Sequence, residues 1–96
     1  METNIVGTID SKWKIVNAIK VNDICIINPL GQEFLCVYKA SYEQFEYLYF
    51  SSFDFKDTIF AVQINMNGQN YVKILEKKPD KIFAYRLYKK ARQNES

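Results

Sequence analysis

Asn67-Gly68 lies between two runs rich in β-branched and aromatic residues, 58–65 and 70–77. A type I′ hairpin turn needs positive φ at both central positions, which Asn followed by Gly accepts at little cost. The dipeptide therefore predicts a tight antiparallel pair with Met66 opposite Gln69. Phe60, Val62 and Ile64 then face Leu75, Lys73 and Tyr71. A third run, 81–89, follows Lys78-Pro79-Asp80-Lys81, which has turn chemistry. The expectation for this part of the chain is a three-stranded meander. If Lys77 opposes Ile82, Tyr71, Lys73 and Leu75 lie across from Tyr88, Arg86 and Ala84. Ile59, Ala61, Val72, Ile74, Phe83, Tyr85 and Leu87 then form the core face. A one-residue slip at Pro79 would flip the third strand and dissolve this arrangement.

Upstream, residues 24–27 and 34–38 flank Asn28-Pro29-Leu30-Gly31 and read as a second hairpin. With Pro29 opposite Gln32, Cys25 sits across from Cys36; a three-residue loop with a Gly bulge shifts that register by one. Asp10 is positioned to cap a helix over 11–20 that places Trp13, Val16 and Ile19 on one face. The β-branched Ile15, Val16, Ile19 and Val21 support a strand instead. Ser41-Tyr42-Glu43-Gln44 fits a capping box, with Tyr42, Phe45, Leu48 and Tyr49 on one stripe, although aromatics there also suit a strand. Residues 53–57 read as a loop or bend. The expected fold is α+β: one domain over 1–96, with a small antiparallel sheet or partly open barrel and one or two short helices. The N-terminal hairpin and the C-terminal meander build its sheet.

The residue inventory removes most catalytic chemistry. The chain has no His among its 96 residues, and so lacks the commonest acid–base group, the Ser-His and Cys-His pairs and imidazole ligands. Two Cys with ten residues between them do not make a four-thiolate zinc site, and the three glycines are scattered instead of forming a phosphate loop. Glu43, Glu46, Asp54 and Asp57 crowd one stretch without metal-loop spacing and read as a solvated acidic edge. Cys25 and Cys36, set among Ile24, Ile26, Leu35 and Val37, read as packed thiols in preference to a redox pair. No enzyme activity, cofactor or metal is expected.

What remains is binding. Aromatics make up 16% of the residues, with seven Tyr and seven Phe, and such side chains fill small cores and anchor interfaces alike. Tyr42, Phe45, Tyr49, Phe53 and Phe55 are the candidate protein-binding set. Charge is uneven: residues 1–72 carry a net −3 and residues 73–96 a net +5. Tyr71, Lys73, Arg86, Tyr88, Lys89, Lys90 and Arg92 are the candidate set for nucleic acid or an acidic partner, cations holding phosphates while rings stack on bases. Against this, Tyr71 and Tyr88 suit a second core layer, with Lys73 and Arg86 snorkelling at its rim. The expected function is a non-catalytic protein-interaction module, of the accessory type carried by phages and mobile elements, that binds or inhibits a host complex. A nucleic-acid-binding module and a homo-oligomeric structural subunit are the alternatives. No membrane span or signal-peptide pattern is visible, and the expected location is the cytoplasm.

Overall fold

The computed structural model describes residues 3–8, 13–28 and 32–93. Its strands are β1 (Thr3–Thr8), β2 (Lys14–Val16), β3 (Ile24–Asn28), β4 (Gln32–Tyr42), β5 (Phe45–Ser52), β6 (Thr58–Met66) and β7 (Gln69–Ile74), and α1 (Lys78–Gln93) follows. The class is α+β, as expected. β3 to β7 form a continuous five-stranded antiparallel meander. β1 adds to β3 in parallel and β2 to β7 antiparallel, giving the sheet order β1-β3-β4-β5-β6-β7-β2. The two edge strands, successive in the chain, approach each other, so the sheet curls into a half-barrel.

The Asn67-Gly68 turn has the anticipated form, with φ of 54° and 82°. Met66 pairs with Gln69, Ile64 with Tyr71 and Val62 with Lys73. The third partner differs. Residues 81–89 are helical, and the neighbours of this hairpin are β5 and β2. Residues 41–51, weighed between helix and strand, form the end of β4, a tight turn and β5. Tyr42 pairs with Phe45, and Glu43 takes a φ of 56° in the loop between them. The helix expected over 11–20 is replaced by β2 and an irregular segment; its proposed cap, Asp10, lies outside the described residues. The 24–38 hairpin forms, but with Cys25 opposite Phe34 instead of Cys36. The Pro29–Gly31 part of its turn is outside the described residues.

Both faces of the sheet are covered, by different means. Inside the curl, Cys25, Ile27, Phe34, Cys36, Leu48, Phe50, Ala61, Val72 and Ile74 form one core, closed by Ile19. Ile19 is held by one side chain: the Gln63 amide accepts from its N–H at 3.2 Å and donates to its carbonyl at 3.0 Å. On the outer face, α1 lays Ala84, Leu87, Tyr88 and Ala91 over Ala40, Tyr49, Phe60, Val62 and Leu75. A bulge between Cys36 and Tyr38 shifts the alternation of β4 by one residue. Phe34 and Cys36 thus point into the curl, while Tyr38 and Ala40 point at the helix. Of the residues expected on a single core face, Phe83 and Tyr85 are instead 40% and 51% exposed on α1.

Candidate functional site

The turn between β5 and β6 is closely hydrogen-bonded. Ser52, buried at its base, donates its hydroxyl to Asp54 Oδ1 at 2.6 Å and accepts the Asp57 amide at 3.0 Å. Asp54 Oδ1 also accepts the Lys56 amide at 3.1 Å. The Ser52 amide donates to the Asp57 carbonyl and the Phe55 amide to the Ser52 carbonyl, both at 3.0 Å. The Ser52 hydroxyl and the Lys56 amide hold the Asp54 carboxyl below its usual range. This bonding fixes Phe55 at a φ of 60°. It also leaves Phe53 55% and Phe55 80% exposed. The loop reading of 53–57 holds, and the structure adds that the loop is rigidly bonded and carries two outward phenyl rings.

The other members of the expected protein-binding set are placed differently. Tyr49 is buried under α1, donating its hydroxyl to the Ala84 carbonyl at 2.6 Å. Phe45 is half-buried against the outer core. Tyr42 stands at the rim, edge-on to Phe83 at 5.2 Å. Beside the β5–β6 turn, Val37, Ser51, Thr58, Phe60, Tyr85 and Tyr88 border a shallow, mostly apolar cleft of about 290 Å³. Ser51 and Thr58 form the last strand pair before the turn, so cleft and turn adjoin.

The expected basic–aromatic face is not assembled as the register argument had it. Arg86 and Tyr88 lie on α1, not on a strand beside β7. Lys73 sits over the Trp13 ring at 4.9 Å, and Tyr71 is half-buried on β7. Tyr88 packs edge-on against Tyr38 at 5.1 Å in the outer core, from the helix and apart from Tyr71. Lys89 lies over Tyr85 at 5.6 Å, and Arg92 over Tyr38 and Tyr88 at 5.7 Å from each. Arg86 and Lys90 flank a cleft of about 510 Å³ that Tyr42 and Phe83 also border. What the structure does bring together is the basic charge itself, along one helix.

The four crowded carboxylates divide, and only Asp54 and Asp57 stay together, in the turn after β5. Glu43 precedes β5 and Asp54 and Asp57 follow it, while Glu46 pairs with Lys39 at 3.2 Å and accepts from Gln63. Among the described residues no group of acids, Cys or His is arranged to hold a metal. Cys25 and Cys36 are free and buried, and burial pushes their thiols up to about 12 and about 11. Among the described residues no helix is long and apolar enough to cross a membrane. Comparison with known protein families, curated proteins and solved structures finds no match.

Proposed function

We propose that this chain is a non-catalytic protein-interaction module that presents Phe53 and Phe55 to an apolar pocket on a partner protein. The observation that carries this is Phe55, a bulky aromatic held at positive φ and 80% exposed. Left-handed backbone costs a non-glycine residue about 1–2 kcal/mol. Leaving a Phe in water forgoes about 1.5–3 kcal/mol of burial. The fold gains neither back, because Phe55 packs in neither core. Strain of this kind persists where surrounding structure imposes it, and such sites concentrate at ligand clamps. The serine and aspartate bonds supply that imposition. A fixed loop backbone is also what an interface anchor needs, since less backbone entropy is lost on docking. Asp54 and Asp57 beside them favour a pocket with a basic rim.

Phe53→Ser/Phe55→Ser tests this. Affinity capture with the wild-type chain should retain a defined protein partner that the double variant loses, while both chains melt at the same temperature. Retention of the same partner by the double variant would remove the proposal. Capture of further copies of this chain alone would replace it with homo-oligomerisation. Phe55→Gly adds a check, because relief of backbone strain should leave stability unchanged or raised while binding weakens.

A further inference from the structure

Helix α1 carries charge that its own stability does not explain. Lys78, Lys81, Arg86, Lys89, Lys90 and Arg92 stand against the single carboxylate of Asp80, a net +5, while the rest of the chain is net −3. The modest overall charge of +2 therefore conceals a strongly polarised molecule. Lys90 and Arg92 lie in the last turn, where the helix macrodipole favours cations. Lys78 and Lys81 lie near the opposite end, where it disfavours them. Lys78/Lys81, Arg86/Lys89, Arg86/Lys90 and Lys89/Arg92 are like-charged pairs at helical neighbour spacing, each of which repels. Among the described residues, Lys78, Lys81, Arg86, Lys89 and Lys90 form no ion pair. A helix selected only to cover the sheet has no use for this pattern.

The rotation of α1 is fixed by its inward stripe of Ala84, Leu87, Tyr88 and Ala91. Lys78, Arg86, Lys89 and Lys90 are consequently exposed, along a row of about 18 Å at 1.5 Å rise per residue. We infer that this outward face of α1 is a docking surface for the phosphodiester backbone of a nucleic acid. A row of solvated cations complements a polymer with regularly repeated charge. A lipid surface fits less well, because an interfacial helix must offer a broad apolar face to the bilayer. The main apolar stripe of α1 is turned into the sheet and leaves only Ile82, Phe83 and Tyr85 partly exposed among the cations. The neighbouring rings are already engaged: Tyr85 lies under Lys89, and Phe83 packs against Tyr42 and Tyr47. Recognition therefore runs through phosphates instead of base stacking, and is independent of sequence.

The test is fluorescence anisotropy of the full chain against labelled 20-nucleotide single-stranded DNA, single-stranded RNA and duplex DNA. If four phosphates are engaged, raising salt from about 50 to 200 mM weakens binding about 50-fold for single strands and about 150-fold for duplex. The relative affinities of the three probes identify the preferred backbone. Arg86→Glu/Lys90→Glu should weaken binding at least about tenfold with unchanged circular dichroism, the loss expected when two phosphate contacts are reversed. Lys20→Glu/Lys56→Glu changes net charge equally but away from α1, and should retain affinity. No binding at low salt, equal loss in both double variants, or equal displacement by polyglutamate would each overturn the inference. Phe53→Ser/Phe55→Ser should bind nucleic acid like the wild type, so this surface and the aromatic turn stand or fall separately.

Discussion

At Gln63 one side chain does the work that strand pairing does elsewhere. Its amide satisfies both backbone groups of Ile19 and also donates to Glu46 at 3.1 Å. Gln63→Leu fills similar space but leaves the Ile19 N–H and C=O without partners in a closed core. A buried unsatisfied group costs about 1–3 kcal/mol, so the urea midpoint should fall well below that of wild type. An unchanged midpoint would mean that water replaces the amide. The two core thiols give a pH signature. Burial first, then the neighbouring Cys36 and Asp23 charges, push the Cys25 thiol from its ordinary 9.0 to about 12. A raised folded-state pKa means the stabilisation is complete below pH 9 and is lost as pH rises from about 9 towards about 12. The destabilisation caused by Cys25→Ala should thus shrink between pH 8 and pH 10.5 in urea titrations; a constant difference would contradict it.

Among the elements, α1 repays comparison with its sequence. Pro79 in the first turn, Asp80 just after it, and Ala84, Leu87, Tyr88 and Ala91 at i, i+3, i+4 and i+7 are all helix signals. They were masked because Lys-Pro-Asp-Lys also has turn chemistry, and because Ile82, Phe83, Tyr85 and Tyr88 favour strands. The β6–β7 hairpin was legible because Asn67-Gly68 leaves one register open. The β4–β5 hairpin was not. Its loop is Glu43-Gln44, with a glutamate at positive φ where turn rules expect Gly or Asn. Central strands buried on both faces, such as Leu48 to Phe50, show no alternation to read. The charge pattern yields a further prediction. Lys81→Glu removes repulsion with Lys78 and places a carboxylate near the positive end of the helix. Thermal stability should rise by about 0.5–1.5 kcal/mol, while affinity for nucleic acid falls. A variant less stable than wild type would show that the Lys81 stem packs on the sheet.

Sequence carried the ingredients of the candidate surfaces without their placement. The basic quarter was visible as charge, but only the helix gathers it on one side. The phenylalanines of 53–57 were visible as a loop, but their exposure follows from the Ser52 and Asp54 bonding, which no composition reveals. The bulge after Cys36 has the same character: it sends Phe34 and Cys36 to the inner core and Tyr38 and Ala40 to the helix. Strand order carries a consequence in time. The meander from β3 to β7 is joined by short loops, and its pairings are local. β1 and β2 lie at its two outer edges, and Ile19 is bonded to a residue 44 positions away. β1 needs only β3, but the partners of β2 and Ile19, on β7 and β6, do not exist until the far end of the meander is in place. β2 and Ile19 therefore leave the ribosome well before their partners and wait for them while the meander assembles.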